Sequence, residues 1–202
     1  MLLLTYVYLL SLQEASLFFK TGEFMAIKYA ILGFLSWRTL SGYDLKKMFG
    51  DSIFLHWSGN NNQIYRTLVQ LHKDGLVTSE IQHQETGPSR KVYTITEEGV
   101  TDLREWVLSS PELPQLRSPF LVQLAWADQL EPDELDALLE KYEHEVHMHL
   151  LMYREQRRRD QLNPARTQRE TYLWNMISDN RLTFYETELA WIQKLQEELS
   201  TN

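Results

Sequence analysis

The sequence predicts a mainly α chain in two domains with one small β-hairpin, and three observations predict it. Apolar residues recur every three or four positions between Ile27 and Lys73 and again beyond Pro119, the period of helices with one buried face. Between these regions, Leu76 to Gln82 and Arg90 to Ile95 carry β-branched residues on either side of Glu85-Thr86-Gly87-Pro88-Ser89, which is turn chemistry, so the stretch reads as a hairpin. After Ser109 the composition changes, and Ser110-Pro111-Glu112-Leu113-Pro114 reads as an extended linker. A length of 202 residues suits two small domains, each with its own core.

Residues 1–24 are an amino-terminal extension. Leu2 to Leu12 is largely apolar, but eleven residues are too few to span a bilayer, no basic leader precedes them and no small-residue cleavage site follows. The segment reads either as the product of a start upstream of Met25 or as an extra amphipathic helix packing on a dimer. Ile27 to Trp37 is then a strongly apolar helix, with Ala30, Ile31, Phe34 and Leu35. Gly42 to Phe49 places Leu45, Met48 and Phe49 on one stripe, and from Asn62 to Lys73 the apolar stripe is Ile64, Leu68 and Leu71. On that third helix Gln63, Arg66, Gln70 and Lys73 share the opposing face. Ser58 is a candidate cap for its start, and Asp74-Gly75 stops it where glycine takes up a left-handed conformation at little cost. The hairpin follows at once and ends before Glu97-Glu98-Gly99, which opens another helix. Three helices, a hairpin and a further helix over residues 25–109 are the order of a winged helix-turn-helix domain, in which one helix enters the DNA major groove and the hairpin is the wing.

Three groups of residues in this region stand together in a pattern: Tyr29 to Gly33 (YAILG), Tyr65 inside the third helix, and Gly87, Arg90, Lys91, Tyr93, Ile95 and Thr96 in the order G-x-x-R-K-x-Y-x-I-T. From Met25 to about Ser109 the chain resembles the amino-terminal domain of PadR-like transcriptional regulators. The resemblance implies a DNA-binding regulator. Many relatives carry Pro directly after the helix Tyr, whereas here Arg66 adds a cation to the DNA-facing side.

A net charge of −8 argues against nucleic acid only until it is divided. Residues 25–109 hold nine Lys and Arg against nine Asp and Glu, whereas residues 110–202 hold ten against seventeen. The acidity belongs to the second half, and a neutral first half can still present a local positive face to phosphates. The candidate DNA-contacting residues are Asn61, Asn62, Gln63, Tyr65, Arg66, Gln70, Lys73, Arg90 and Lys91. Amide side chains pair with adenine in the major groove, although Asn runs are equally ordinary helix starts. Tyr65 reads both as half-buried core and as a hydroxyl within reach of a phosphate. Arg66, one turn in from the Asn run, is placed for the paired acceptors of guanine. Arg90 and Lys91, just after Gly87-Pro88-Ser89, are expected together at a hairpin tip against the sugar-phosphate edge.

In the second half, Ser118-Pro119 starts a helix with a capping residue and Pro in its first turn. Pro132, Asp133 and Glu134 open a long helix running to about Leu162, with Leu135, Leu138, Leu139, Tyr142, Val146 and Tyr153 as its stripe. Asn163-Pro164 breaks it, and Arg166 to Leu199 forms another, with Leu173, Ile177, Phe184, Leu189, Ile192, Leu195 and Leu199. Helices near thirty residues, roughly 45 Å long, exceed what one small core buries. An antiparallel helical pair over residues 118–199 that completes its core by dimerising is the expectation. It is similar to the helical carboxy-terminal half of larger PadR-like regulators in position and helicity.

Other features point to no catalytic chemistry. His144, His147 and His149 lack the spacing of a zinc helix. Arg154 and Arg157-Arg158-Arg159, with Glu155 and Asp160 close by, read as a solvated helix face. Trp126, Tyr142, Tyr153, Tyr172, Trp174, Tyr185 and Trp191 are most simply dimer core, with Trp126, Tyr153 and Trp174 as candidates for an effector pocket taking a small aromatic molecule. No phosphate-cradling glycine loop and no GxSxG elbow is present, so no enzyme, cofactor or metal is expected. Without cysteine there is no disulfide framework, which suits the cytoplasm. The expected function is sequence-specific transcriptional repression by a homodimer on an inverted-repeat DNA operator, released by a small effector and without a membrane role. A winged-helix adaptor that docks protein, or a ligand sensor without direct DNA readout, stands as the alternative.

Overall fold

The computed structural model describes residues 26–52, 61–84, 87–111, 113, 118–159 and 164–201. They fall into two compact units: the chain up to Ser110 without residues 51–56, and residues 51–56 with everything from Pro111 onward. The expectations for residues 1–24 and for Ser58 lie outside the described residues.

In the first unit, helix α1 (26–35) leads to a two-residue strand β1 (Leu40–Ser41), helix α2 (Gly42–Asp51), helix α3 (Asn61–Lys73), strands β2 (Val77–Gln84) and β3 (Gly87–Ile95), and helix α4 (Glu97–Leu108). The core is the meeting of the helical stripes: Ile31, Leu32, Phe34 and Leu35 from α1, Leu45, Met48 and Phe49 from α2, Leu68 and Leu71 from α3, and Val77 and Val92 from the hairpin, all buried. Phe34 and Phe49 meet edge to face at 5.4 Å. Thr67 is buried in α3 with its hydroxyl donating to the Gln63 carbonyl at 2.8 Å, so a polar group in the core goes satisfied. Gly75, at φ +74°, ends α3: its N–H donates to the His72 carbonyl at 3.2 Å, and the Leu76 N–H donates to the Leu71 carbonyl at 2.9 Å. This pair of bonds is the usual glycine stop of a helix. Thr96 then caps α4, its Oγ1 accepting from the Gly99 N–H at 3.1 Å and donating to the Gly75 carbonyl at 2.8 Å. One hydroxyl thereby ties the end of α3 to the start of α4. A Cβ at Gly99 would collide with the Leu76 carbonyl, so glycine is what lets α4 pack this closely.

The sheet departs from the sequence reading in two ways. It has three antiparallel strands in the order β1-β3-β2, because Leu40 and Ser41 pair with Tyr93 and Val92. Two residues are too few to carry a period-two pattern, so this strand has no sequence signature. The hairpin arms are also longer than expected, since pairing continues to Gln84 opposite Gly87. Gly87, Pro88 and Ser89 belong to the arm and not to the turn. Pro88 fits there because β1 reaches only Val92 and Tyr93, so the other edge of β3 carries no hydrogen bonds at that level.

The second unit comprises a short helix α5 (Pro119–Ala125), a 3₁₀ turn at Ala127–Gln129, and the long helices α6 (Pro132–Arg159) and α7 (Gln168–Ser200). Ser118 and Thr167 cap α5 and α7 by accepting from the Leu121 and Glu170 N–H groups. Two small clusters join the helices. Phe120, Leu139 and Ile192 form one, with Phe120 stacked on Tyr142 at 3.5 Å; Leu150, Tyr153 and Leu182 form the other, with Tyr185 packed against it. The arginine run is accounted for by ion pairs: Arg154 with Glu186 at 2.8 Å, Arg157 with Asp179, and Arg158 and Arg159 both with Glu155 at 2.8 Å.

Candidate nucleic-acid interface

The side of α3 turned away from the core forms a continuous ridge. Asn62, Arg66, Val69 and Lys73 follow one another at steps of three and four, Gln70 stands beside Val69 one turn on from Arg66, and all are exposed. Gln63 is half-buried and adjoins them, and Asn61 opens the helix. Gln70 is already engaged, its Nε2 donating to Asp74 Oδ1 at 2.7 Å. For Arg66 and Lys73, no described carboxylate lies within ion-pair distance, so both cations face solvent. Val69 is 64% exposed in the middle of this ridge, and sequence reasoning passed over it. Its signal was there: a β-branched apolar residue standing where the amphipathic pattern calls for a polar one.

Tyr65 is intermediate in character, as its pattern suggests. It is 47% exposed, and its ring lies over Gly42 at the start of α2, where any Cβ would meet it. The glycine at 42 and the tyrosine at 65 thus answer each other, and their contact brings the start of α2 beside the exposed face of α3. Tyr43, 70% exposed, and the exposed Lys46 and Lys47 stand on α2 next to that contact. In a helix-turn-helix the first helix crosses the sugar-phosphate backbone, and these three were not singled out from the sequence.

The wing separates two residues that the sequence reading treated alike. Side chains alternate along a strand, so Arg90 and Lys91 leave opposite faces of β3. Lys91, opposite Ile81, is exposed, with its ammonium 5.4 Å from the ring of Tyr93. Arg90, opposite Gln82, turns inward to α2, where its Nη2 donates to Asp44 Oδ2 at 2.6 Å. The same carboxylate oxygen accepts from the Ser41 N–H at 2.9 Å and the Ser41 hydroxyl at 2.7 Å, while the Asp44 N–H donates to Ser41 Oγ at 3.2 Å. Ser41 and Asp44 are therefore a reciprocal cap on the start of α2, which the Ser-x-x-Asp spacing announces. Burial alone pushes the Asp44 carboxyl up, but the Ser41 hydrogen bonds and the Arg90 and Arg38 charges outweigh it and hold the group below its usual range.

The three aromatic residues expected at an effector pocket are not brought together. Trp126, 68% exposed, lines an open cleft of about 480 Å³ with Leu130, Ala137, Leu138 and Lys141. Tyr153 belongs to the separate cluster with Leu150 and Leu182, twelve residues or about 18 Å along α6 from Lys141. Trp174 lies in the early turns of α7, and Asp179, further along that helix, already pairs with Arg157 near the end of α6. Among the described residues, no helix is long and apolar enough to cross a membrane.

Comparison with known proteins agrees with this geometry. Residues 31–105 match the model of the transcriptional regulator PadR-like family, and residues 116–200 match a model described as virulence activator alpha C-term. Over 89 residues the chain is 36% identical to the negative transcriptional regulator PadR of Bacillus subtilis (strain 168), a match covering 44% of this chain and 49% of that relative. The chain spans about half the length of the curated relatives it matches. The crystal structure of Bacillus subtilis PadR in complex with operator DNA shares its fold with a TM-score of 0.73 at 23% identity, over 84% of this chain and 96% of that one. The structure of Bacillus subtilis PadR in complex with p-coumaric acid is similar with a TM-score of 0.69 at 22% identity, over 85% and 94%. The first model spans the α3 ridge and the wing and the second spans the α6–α7 pair, so the chain is similar to PadR-like transcriptional regulators over residues 31–105 and to the virulence activator alpha carboxy-terminal family over residues 116–200.

Proposed function

We propose that the chain is a sequence-specific DNA-binding repressor that acts as a homodimer. The observation that carries this reading is the exposed α3 ridge, where Arg66 and Lys73 have no carboxylate partner among the described residues, Val69 and Gln70 stand between them and Asn62 precedes them. Arg66 reads guanine, the amides of Asn61, Asn62 and Gln63 read adenine, and Val69 meets a thymine methyl, since these are the chemistries that base edges offer in the major groove. Lys73, Lys91, the Tyr65 hydroxyl and the donors on α2 hold phosphates and fix the register. The solved complex of the similarly folded Bacillus subtilis protein with operator DNA supports DNA as the partner.

Dimerisation follows from α7. Leu182, Leu189, Ile192 and Leu195 pack inward, whereas Leu173, Met176, Ile177 and Phe184 stay between 38% and 49% exposed along the same helix. A second copy covers them. A two-fold pair presents two α3 helices to one side of the duplex, so operator half-sites are inverted repeats with centres about 10 bp apart or a multiple of it. A small aromatic effector entering the cleft at Trp126 releases the DNA by favouring the non-binding dimer, with a coupling of about 1–3 kcal/mol. Binding to chromosomal DNA places the protein in the cytoplasm.

Selection from a random pool of duplexes tests the reading. Recovery of inverted repeats, bound with a steep dependence on salt, is the expected result. Asymmetric single sites, or binding indifferent to salt, would turn the assignment toward an adaptor. p-Coumaric acid, the molecule bound in the similar structure, is the first effector probe; stabilisation on binding together with DNA release supports the effector reading.

A further inference from the structure

We infer that Arg90 is a positioning residue that pins the wing to the start of α2 through Asp44, and that the phosphate-neutralising cation of the wing is Lys91 alone. The inference rests on the DNA-binding reading above and refines it. Arg90 was grouped with Lys91 by adjacency in sequence, but three observations on the folded chain divide them. The strand sends them to opposite faces. The Arg90 guanidinium meets Asp44 at 2.6 Å and its Nε is buried without a hydrogen-bond partner, so the charged end is turned toward α2 although 40% of the side chain stays exposed. Asp44 in turn is held by both the N–H and the hydroxyl of Ser41, the strand residue paired with Val92 two positions beyond Arg90.

The result is a closed loop of contacts: β3 through Arg90 to Asp44, Asp44 to Ser41, and Ser41 across the β1–β3 ladder back to β3. Such a loop sets the angle at which the hairpin leaves the domain, because α2 and the wing are joined at a fixed point beside the exposed face of α3. An arginine whose charge is already paired with a neighbouring carboxylate releases less counterion from DNA than an exposed lysine on the other face with no such partner among the described residues. Arg38 also acts on Asp44, as a longer-range charge that leaves the hydrogen-bonded position to Arg90.

The experiment uses the full-length chain, a duplex selected by the wild-type protein from a random pool, and a random duplex. Arg90→Gln and Asp44→Asn should each weaken binding to the selected duplex by about three- to tenfold, the scale of one partly exposed hydrogen bond. The double variant should be no weaker than the worse single one, because both remove the same contact. Neither should flatten the salt dependence. Lys91→Ala should flatten it by about one unit per half-site while leaving thermal unfolding unchanged. If Arg90→Gln flattens the slope as Lys91→Ala does, and Asp44→Asn strengthens binding to the random duplex, Arg90 is a phosphate contact and the inference is overturned. A second measurement needs no DNA: amide exchange at Ser41 and Val92 should accelerate in Arg90→Gln and Asp44→Asn and stay unchanged in Lys91→Ala. Unaltered exchange in the first two would overturn the clamp, whereas failure of the wild-type chain to bind any duplex would instead remove the DNA-binding reading.

Discussion

The two units of this chain bury apolar side chains in opposite styles. In the first, short helices surround a common centre: Leu45, Leu68, Leu71 and Val77 are almost wholly enclosed, and the helix ends nearby are closed by Ser41 and Asp44, by Gly75 and by Thr96. In the second, α6 and α7, about 42 and 50 Å long, share one seam with two small clusters, and Leu173, Met176, Ile177 and Phe184 stay open to solvent. The difference has a geometric cause. Three helices and a sheet enclose a volume, whereas two helices alone can only line a plane, so a wide apolar stripe on either one has an uncovered half. The first unit closes its core within one chain; in the second, the proposed dimer is what would cover the outward half.

The largest expected effect breaks that contrast directly. Ile177→Glu with Phe184→Glu places two charges on the outward half of the α7 stripe and leaves the buried residues Leu150, Tyr153 and Leu182 in place, at the loss of the Phe184 edge contact with Tyr185. The variant should sediment as a monomer at concentrations where the parent is a dimer. Its affinity for a selected duplex should fall by at least about a hundredfold, because two linked half-site contacts become two independent ones. A variant as dimeric as the parent would show that the outward stripe is not the interface.

Inward positions should behave differently. Leu139→Ala in the second unit and Leu68→Ala in the first both empty positions with no exposed surface, and each should cost about 2–5 kcal/mol in unfolding free energy. Both variants should remain dimers at micromolar concentration. Should Leu139→Ala dissociate the dimer as readily as the charged pair does, the two halves of the stripe are not separable, and the contrast between the units weakens.

Much of the first unit was legible in the sequence because its elements end on residues with a single meaning. Gly75 stops α3, Thr96 starts α4, and the leucines and isoleucines of the stripes on α1 to α3 are buried, with Val69 an apolar residue that stays outside. β1 was not legible, since two residues carry no period. The wing residues were misjudged for a related reason: Gly87-Pro88 looks like a turn, but its partners across the ladder make it strand, which moves Arg90 and Lys91 away from the tip and onto opposite faces. Ser41 and Asp44 had a readable spacing, yet nothing in the sequence shows that the carboxylate would also hold an arginine 46 positions away. In the second unit, periodicity gave most of the apolar stripe of α7 but passed over Leu182 and Met176 and did not divide the stripe into inward and outward halves. That division depends on which neighbours the chain itself supplies. The effector candidates Trp126, Tyr153 and Trp174 shared only residue type, and residue type does not bring them to one cavity.

A smaller effect sharpens the comparison at the DNA face. Arg66→Ala should cost about 1–3 kcal/mol on the selected duplex, much less on a random one, and relax the preferred base at one position of each half-site. Its side chain has no described ionic partner to lose, so unfolding should be unchanged. Equal losses on both duplexes would make Arg66 a phosphate grip.

The smallest effect is one of pH, and its groups lie at both ends of the scale. Asp44 in the first unit is held below its usual range, so the native state keeps it ionised where the unfolded chain takes up a proton. Its contribution is present above the ordinary Asp value of about 3.9 and is lost as pH falls through the lower native value. Tyr185 in the second unit is pushed up to about 12, chiefly by burial and then by Tyr153, so the native state keeps it protonated where the unfolded chain loses the proton. Its contribution is present below the ordinary Tyr value of about 10 and is lost as pH rises from there toward the native value. Tyr142 is raised as well, by burial and by its hydrogen bond to Glu188. Acid should therefore speed amide exchange around the start of α2, after correction for intrinsic rates, as well as at the Glu155 and Glu170 ion pairs of the second unit, and alkali should speed it along α6 and α7. The stability gap between the parent and Asp44→Asn should be widest near neutrality and close as the carboxyl protonates, while the gap to Tyr185→Phe should change only on the alkaline side. An Asp44→Asn gap that stays constant into acid would mean that the carboxylate's charge, and with it the pairing to Arg90, contributes nothing to holding the wing.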